Sequence, residues 1–302
     1  MKNEKRTPKR VNIKRTAGEM SFEIINGILL VGLCLLTIYP FYQLLSLSFT
    51  SGDVPLTVTY LIPPKWTLDN YTKVLGDPSI ASGFSNTILR VLLGTSISLL
   101  LTICTAYPLS KKYLVHRNLF TSFVVITMFV SGGMIPSYLL VKSLSLIDTP
   151  WALVLPGAIS AYNVVITRNF FMSIPPSLEE SAKIDGANDI LILFKIIVPV
   201  SLPIITTLTL WIAVAHWNAW FDSLIYSTKA ANHVLQIVMR RIVLEGTQQM
   251  LNFDSAEEAK QIVNPETIKA TVVMVTTIPI ICVYPFLQKY FVKGVMVGSI
   301  KG

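Results

Sequence analysis

Long runs without charged residues alternate with short polar segments along the chain. Six windows contain no Asp, Glu, Lys or Arg, namely residues 24–52, 91–110, 118–141, 149–167, 196–221 and 270–288. Each window reaches the roughly 17–25 residues that an α-helix needs to cross about 30 Å of hydrocarbon. Backbone groups in lipid must form their hydrogen bonds internally, so helices are the expected state of these windows. The pattern predicts an all-α membrane protein with six transmembrane helices.

Composition and charge distribution agree with a membrane location. Of 302 residues, 52% are hydrophobic and 14% are charged, which is too apolar for an ordinary soluble domain. The Lys and Arg residues behind the net charge of +8 are divided unequally between the two predicted sides of the membrane, and they do not form a single nucleic-acid-binding surface. With the N-terminus inside, inner segments carry 16 Lys and Arg residues and the longer outer segments carry 8. The positive-inside rule therefore predicts a multi-pass membrane protein with both termini cytoplasmic and no nucleic-acid partner.

One polar segment, SLEESAKIDGAN at residues 177–188, stands between the fourth and fifth windows. Ser177 and Glu180 have the spacing of a capping box, and Glu179 can pair with Lys183 one turn later. Gly186 can end the helix in the left-handed conformation. The segment predicts a helix of about two turns on the cytoplasmic side.

Small residues dominate one face of this predicted helix. By helical spacing, the face consists of Leu178, Ser181, Ala182 and Asp185. A face of this kind lets a partner surface approach closely, as in the recognition of a helix by a groove. An ordinary capped interfacial helix fits the same pattern, so the local physics leaves both interpretations open.

The polar segment also resembles a known family motif. Glu180-Ser181-Ala182, three further positions and Gly186 are similar to the Glu-Ala-Ala-x-x-x-Gly loop of binding-protein-dependent ABC transporter permeases, with Ser181 in place of the middle Ala. The sequences GMIPSY at 133–138, IDTPWAL at 147–153 and HWNAWFD at 216–222 are similar to the carbohydrate-importing, MalG-like members. The resemblance runs from about residue 85 to the C-terminus and points to the second permease of complex-oligosaccharide importers.

This resemblance implies the type I ABC importer permease fold in a bacterial cell membrane, with a cytoplasmic coupling loop at about 172–198. The implied partners are a second, different permease chain, two ATP-binding subunits, an extracellular solute-binding protein and a carbohydrate substrate. This chain would hold no cofactor and would not be an enzyme, because the ATPase subunits would bind Mg-ATP. The residues implied to contact the ATPase are Glu179, Glu180, Ser181, Ala182, Asp185, Gly186 and Ala187.

The same patterns divide the chain into four segments. A basic cytoplasmic tail is expected at 1–20, and a first transmembrane helix with an outer loop at 21–84. The permease domain is expected at 85–290 and a cytoplasmic tail at 291–302. Within the largest outer loop, residues 223–268, a short solvent-facing helix is expected at 255–263.

A few polar and aromatic residues are candidates for the transport path. Asn163 is polar within an apolar window and should face protein or water, either lining the pore or bonding to another helix. Trp217, Asn218 and Trp220 end the fifth window, where rings and amides can contact sugars. An aromatic belt with packing at the membrane interface is the favoured interpretation of these three. Arg90 is expected to reach the outer interface with its charged head.

Motifs for chemistry within the chain are lacking in the sequence. No Gly-x-x-x-x-Gly-Lys-Ser/Thr phosphate loop, His-Glu-x-x-His or Gly-x-Ser-x-Gly occurs. Cys34, Cys104 and Cys282 have no metal-ligand spacing and are expected to be buried apolar residues, so neither catalytic nor metal-binding residues are assigned. The windows also lack the carboxylates of a proton-coupled carrier. A secondary transporter working alone and a membrane-embedded enzyme are therefore the weaker alternatives.

Overall fold

The computed structural model describes residues 16–55, 60–251 and 264–299, so the helix expected at 255–263 and most of the tail at 1–20 lie outside it. The described residues form helices joined by turns, and their only β-type pairing is an isolated bridge between Thr50 and Trp66. The all-α prediction is confirmed. The α-helices are α1 (Ala17–Ser48), α2 (Asp69–Gly76), α3 (Pro78–Ser110), α4 (Arg117–Ile126), α5 (Met134–Ser143), α6 (Pro150–Val154), α7 (Ala161–Met172), α8 (Ser177–Ile184), α9 (Asp189–Ile192), α10 (Val198–Val200), α11 (Leu202–Asn218), α12 (Phe221–Tyr226), α13 (Leu235–Leu251) and α14 (Pro265–Ser299).

Three of the described helices are long and apolar enough to cross a membrane. They are α1 over Gly18–Ser48, α3 over its whole length, and α14 over Pro265–Cys282. A fourth candidate consists of two parts, Asp189–Val200 and α11, which are bent by 84° at the break between them. Pro199 and Pro203 flank this break and remove the backbone N–H groups that a continuous helix would use.

The third and fourth predicted spans are each divided. The helix at 117–126 is separated from α5 by a turn that contains Gly133 at φ +86°. The fourth window is interrupted between α6 and α7, where Pro156-Gly157 lies. Glycine and proline at these points favour a break because one permits backbone conformations outside the helix and the other removes a donor. The count of six spans therefore remains a prediction.

Helix ends can be compared with the expected segment boundaries, which stay predictions. The helix that contains the second window, α3, begins at Pro78, where the Asp77 side chain caps it by accepting the Ser79 N–H at 2.7 Å. Residues 84 and 85 therefore lie within one helix. At the other end, α14 continues to Ser299, so no helix end separates residues 291–299 from the preceding span. The predicted outer loop at 223–268 contains the 17-residue α13.

The central helix of the molecule is α3, which packs against α7, α11 and α13. Four buried small residues follow one another at every fourth position along it: Gly94, Ser98, Thr102 and Ala106. Small side chains at this spacing let neighbouring helices approach closely in membranes. At Gly94 the approach is so close that an added Cβ would clash with the imidazole ring of His216 on α11.

We expect Gly94→Ala to destabilise the protein by about 1–3 kcal/mol, because the His216 ring and α11 must shift to admit the methyl group. The thermal unfolding temperature in detergent measures this change. Gly27→Ala is the matched control, since Gly27 lies within α1 with no atom inside 4 Å of an added Cβ. Recovery of stability in Gly94→Ala/His216→Ala would assign the effect to this contact, and no recovery would contradict it.

Many apolar side chains face away from the chain. The most apolar 18-residue stretch of α1 has none of its residues buried inside the chain. Cys34, Cys104 and Cys282 are exposed as well, so the prediction that they are buried is wrong. The apolar faces of membrane helices meet lipid or neighbouring subunits, and a small apolar residue therefore needs no place in the chain's own core.

Candidate functional site

The polar segment forms α8 as predicted, but its N-terminus is built differently. Pro176 precedes the helix with φ −64° and ψ −24°, which is already helical, and no side chain caps it. The capping box predicted from Ser177 and Glu180 is therefore wrong, because Ser177 is the first residue of the helix. Proline holds φ near the helical value, so Pro176 starts the turn one residue earlier. Its carbonyl accepts the N–H groups of Glu179 and Glu180, both at 3.0 Å.

Gly186 provides the left-handed C-terminal cap of α8, two residues after the helix ends at Ile184, as predicted. Gly186 has φ +82°, in the left-handed region that glycine adopts without strain. The N–H of Gly186 donates to the carbonyl of Lys183 at 3.0 Å, and the N–H of Ala187 donates to the carbonyl of Ala182 at 2.9 Å. These two bonds are those of the Schellman motif, which satisfies the last carbonyls of a helix.

The packing of Ala182 decides which face of α8 points outward. Ala182 is only 8% exposed and belongs to a buried cluster with Ile192 and Ile197. The small side chain of Ala182 therefore lets α8 pack closely against the rest of the chain. Because Ala182 is buried there, it is not available for the contact with a partner surface that the sequence predicted. Glu179 and Ala187 are half-buried. The remaining predicted contact residues are exposed, namely Glu180, Ser181, Asp185 and Gly186.

Two apolar residues project from this otherwise polar helix. Ile184 is 86% exposed and Leu178 is 42% exposed. Single exposed apolar side chains are common on protein surfaces, but these two give a short polar helix an apolar area that a partner surface can cover. Ile184 lies directly before Asp185-Gly186, so the exposed surface combines an apolar side chain with charged neighbours. This arrangement suits a protein contact.

Two ion pairs connect α8 to neighbouring segments, one to the turn that follows α3 and one to α9. Lys111 pairs with Glu179, and the two side chains are only 10% and 13% exposed. The predicted pairing of Glu179 with Lys183 is therefore wrong, because the fold brings Lys111 closer. Lys183 instead binds Asp189 at 3.2 Å and lies 4.6 Å above the ring centre of Tyr113. The hydrogen bond to Asp189 favours the charged amine and raises the pKa of Lys183.

We expect Lys111→Glu to weaken the attachment of α8, because it places two carboxylates together in a largely buried position. The double charge reversal Lys111→Glu/Glu179→Lys should recover stability, with a coupling free energy of about 1–3 kcal/mol. Thermal unfolding of the four proteins in detergent measures this term. Lys112→Glu is the matched control, since Lys112 is the exposed neighbour. Additive effects of the two reversals would contradict the pairing.

A cavity of about 400 Å³ forms a second candidate site. Residues of α3, α7 and α11 contribute to its wall, together with the segment between α6 and α7. The lining includes Asn163, Ser160, Trp211, Ser98, Arg90 and His216. The Ser160 side chain accepts the backbone N–H of Asn163 at 3.4 Å and so caps α7 at the cavity wall. Asn163 therefore lines a cavity between helices, and its assignment to the transport path stays a prediction.

The other three candidates for the transport path pack elsewhere. Trp217 lies against Phe84 with ring centres 6.3 Å apart. The Asn218 amide donates to the carbonyl of Val214 in its own helix at 3.0 Å. Trp220 contacts Phe221 edge to face, and the Arg240 guanidinium lies 4.2 Å from its ring centre. These contacts agree with the packing interpretation of the aromatic segment.

Sequence reasoning missed the arrangement around Arg90. Arg90 is 3% exposed and does not reach the interface as predicted, because its guanidinium binds both carboxylate oxygens of Asp222. It also donates to the carbonyl of Ala219 at 3.2 Å and lies 3.5 Å from Nδ1 of His216. The partners are 132 positions apart, so no local pattern could reveal them. The one sequence feature that could have indicated a buried ion pair is the position of Arg90 directly before the apolar window 91–110.

Asp148 connects two loops on the predicted outer side. Its carboxylate accepts the N–H groups of Thr228 at 2.7 Å and Lys229 at 3.1 Å, and its carbonyl accepts the Asn232 amide at 2.9 Å. The Thr228 hydroxyl and these N–H groups stabilise the charged form and lower the pKa of Asp148 to about 2. Because the folded pKa is depressed, the contribution is complete above the ordinary Asp pKa and is lost only as the pH falls through about 2.

Among the described residues, no group of three or more His, Cys, Asp or Glu side chains could hold a metal ion.

Similar proteins give these two sites a context. LplC of Bacillus subtilis (strain 168) is 41% identical over 283 residues, which is 93% of this chain and 95% of that protein. The polygalacturonan/rhamnogalacturonan transport system permease protein YtcP of the same organism is 41% identical over 281 residues, covering 92% of this chain and 97% of YtcP. The similarity to these two relatives covers more of the chain than the resemblance in the sequence analysis, which was expected to begin near residue 85.

A solved structure and a family description agree with these relatives. The crystal structure of a bacterial ABC transporter involved in the import of the acidic polysaccharide alginate contains a chain that matches with a TM-score of 0.84 and 30% identity. The match covers 92% of this chain and 99% of that one. Residues 98–297 match the description "binding-protein-dependent transport system inner membrane component". The chain therefore belongs to the family of binding-protein-dependent transport system inner membrane components.

Proposed function

We propose that the chain is a membrane subunit of an ATP-driven ABC importer for an oligosaccharide or a related carbohydrate, and that it forms half of the translocation pathway. The observation that carries this proposal is α8, an exposed helix that bears the family's loop motif and ends at a left-handed Gly186. The sequence lacks a phosphate loop, so the energy would come from two partner ATP-binding subunits that hold Mg-ATP. The chain itself would need no cofactor and would catalyse no reaction.

Docking of α8 in the ATPase would couple hydrolysis to movement. Glu180, Ser181, Asp185 and Gly186 supply the exposed polar part of the surface, and Ile184 supplies an apolar contact. The ion pairs through Lys111 and Lys183 tie α8 to the end of α3 and to α9. Movement of α8 would therefore pull on α3, which packs against α7 and α11. Rigid-body rocking of this kind would expose the pathway alternately to each side.

The remaining partners follow from the family and from the charge distribution. An extracellular solute-binding protein would deliver the carbohydrate to the outer side, and a second, different permease chain would complete the pathway. The excess of Lys and Arg in the inner segments supports a plasma-membrane orientation with both termini cytoplasmic. YtcP and the alginate importer are named for acidic polysaccharides, so oligosaccharides that contain uronate are the first substrates to test.

Purification of the tagged chain from its native membranes in mild detergent tests this proposal. We expect two further kinds of subunit to co-purify, an ATPase and a second permease. Hydrolysis of ATP by the complex would then be measured with the cognate binding protein and a panel of trigalacturonate, an alginate trisaccharide and maltotriose. Stimulation by at least one saccharide is expected. A single chain that transports without partners in liposomes would contradict the proposal and favour a secondary transporter.

A further inference from the structure

Two arginines lie at the same predicted edge of the membrane, on the inner side. Arg117 is the first residue of α4 and directly precedes the apolar window 118–141. Arg168 lies in α7 and directly follows the apolar window 149–167. Helices α4 and α7 are in contact, and the pKa of Arg168 is lowered by burial and by the nearby charge of Arg117. The two guanidinium groups therefore concentrate positive charge at one place.

No acidic side chain forms an ion pair with either guanidinium in the part of the chain that the structure describes. Arg168 donates through Nε to the carbonyl of Leu109 at 2.9 Å and through Nη1 to the side-chain oxygen of Asn169 at 3.2 Å. Arg117 is half-buried, and its Nη1 is shielded from water without a hydrogen-bond partner among the described residues. Because a guanidinium shares its charge among three nitrogens, an anion at the accessible edge of either group would compensate for this loss.

Carboxylates are scarce in this part of the sequence. Residues 78–147 and 149–178, which include α3 to α7, contain no Asp or Glu. The first acidic residue after them, Glu179, is already paired with a lysine. Asp148, which separates the two stretches, lies on the predicted outer side and binds a loop there. The two arginines therefore lack a counter-ion in α3, α4 and α7.

The start of α4 adds free hydrogen-bond donors beside Arg117. His116 precedes the helix in the left-handed conformation, with φ 57°, and its side chain does not cap the helix. No described group accepts the N–H of Asn118 or of Leu119, and the first turn of α4 contains no acidic residue. The start of a helix carries partial positive charge, and its open N–H groups suit a phosphate. The helix start therefore favours the same kind of ligand as the two arginines.

The apolar surroundings favour a membrane lipid as the source of the anion. None of the residues of α4 is buried, and Leu119, Phe120 and Phe123 are exposed within the two turns that follow Arg117. A lipid whose phosphate binds at Arg117 would place its acyl chains along these side chains, whereas a soluble anion would leave them uncovered. Arginine binds phosphate oxygens through paired N–H groups, and basic pockets between membrane helices on the cytoplasmic side bind acidic headgroups.

From these observations we infer that Arg117, Arg168 and the first turn of α4 bind the headgroup of an acidic phospholipid of the inner leaflet. Its phosphate would replace the repulsion between the two guanidinium groups with two attractions, and would thereby hold α4 against α7. A lipid with a net negative charge is preferred over one whose phosphate is neutralised by its own choline. The inference concerns the membrane and not the transported carbohydrate, so it is independent of the proposed function.

Lipid titration of the full-length chain, purified in mild detergent with the subunits that accompany it, provides the first test. Native mass spectrometry measures the dissociation constants of the first bound phosphatidylglycerol and of the first bound phosphatidylcholine. We expect phosphatidylglycerol to bind at least about fivefold more tightly, and Arg117→Gln/Arg168→Gln to reduce this preference to less than about twofold. Lys142→Gln is the matched control, because Lys142 is an exposed cation on the predicted outer side, and it should keep the preference.

Three outcomes of this titration would overturn the inference. The first is an unchanged protein that binds the two lipids equally. The second is a preference that survives the double substitution. The third is an equal loss of preference in Lys142→Gln, which would show that the lipid responds to net charge and not to this site.

Thermal unfolding separates lipid binding from damage to the fold. In detergent with phosphatidylcholine, Arg117→Gln/Arg168→Gln should unfold no earlier than the unchanged protein, because the substitutions remove two charges that repel each other. Addition of phosphatidylglycerol should raise the unfolding temperature of the unchanged protein by about 2–4 °C and leave that of the double variant unaltered. Equal rises for the two proteins, or earlier unfolding of the double variant in phosphatidylcholine, would contradict the inference.

A photoactivatable lipid tests the place and the source of the anion. Phosphatidylglycerol with a diazirine near the top of one acyl chain is irradiated with the unchanged protein, and the labelled peptides are identified. We expect label within residues 117–126, removed by an excess of unlabelled phosphatidylglycerol and retained in a millimolar excess of inorganic phosphate. Absence of label from α4 would overturn the inference. Displacement by inorganic phosphate would also overturn it, because the site would then take a soluble anion.

Discussion

Gly186→Asp is expected to reduce uptake at least tenfold while the chain still inserts in the membrane and reaches its normal level. An added Cβ at Gly186 meets no atom within 4 Å, so the chain itself has room for the side chain. The backbone cost of the left-handed conformation is about 1–2 kcal/mol, and Asp is one of the residues that tolerates it. The main effect therefore falls on the outer surface of α8, where a new charge would meet the ATPase. Uptake and membrane level are measured in the same cells.

The control for this prediction is the same substitution at a similar glycine on the opposite side. Gly76 ends α2 in the predicted outer region, is exposed and has open space around an added Cβ. Gly76→Asp should keep uptake within about twofold, because it introduces the same charge away from α8. Normal uptake by Gly186→Asp would show that this surface does not dock against the ATPase. Loss of the Gly186→Asp chain from the membrane would show that the substitution acts on folding instead.

Asp222→Leu is expected to destabilise the protein by about 3 kcal/mol, because it leaves the charge of Arg90 buried without its partner. The side chain of Arg90 is 4% exposed and that of Asp222 is 31% exposed. Because water has partial access to Asp222, we expect the destabilisation to lie near the lower end of the range of about 3–5 kcal/mol for breaking a buried ion pair. The free energy of unfolding in detergent, or the thermal unfolding temperature, measures the loss.

Two further variants distinguish a buried pair from an ordinary surface contact. Arg90→Met/Asp222→Leu should recover most of the stability, since an apolar pair of similar size removes both charges together. Asp53→Leu removes one partner of the exposed pair with Lys65, whose side chains are 63% and 56% exposed, and should cost less than about 1 kcal/mol. Equal losses for Asp222→Leu and Asp53→Leu would contradict the buried character of the Arg90 pair.

The elements predicted correctly are those whose signals are local. Long apolar windows predicted helices, because a backbone in lipid has no other way to satisfy its hydrogen bonds. Gly186 predicted the end of α8, because glycine adopts a left-handed conformation at little cost. Asn163 was recognised as a residue that should face protein or water, because an amide within an apolar window is unfavourable in lipid. Each inference needed only neighbours within a few turns of the chain.

Two of the errors concern contacts between distant parts of the chain, whereas the wrong capping box at Ser177 was a local one. Local spacing paired Glu179 with Lys183, but the fold brings Lys111 to Glu179 across 68 positions. Ala182 was assigned to a partner surface, but it packs in the core with Ile192 and Ile197. The helical periodicity of a short segment shows which residues share a face, but it does not show in which direction that face points.

The sequence by itself determined the helical class, the membrane location, the family motif and the polar helix that carries it. Only the tertiary structure decided that Arg90 is buried against Asp222, that Ser98 and Trp211 line one cavity with Asn163, and that α8 is clamped to the end of α3. The physical reason is the range of the forces involved. Hydrophobicity and backbone conformation act residue by residue, whereas ion pairs and cavities require groups that only helix packing brings together.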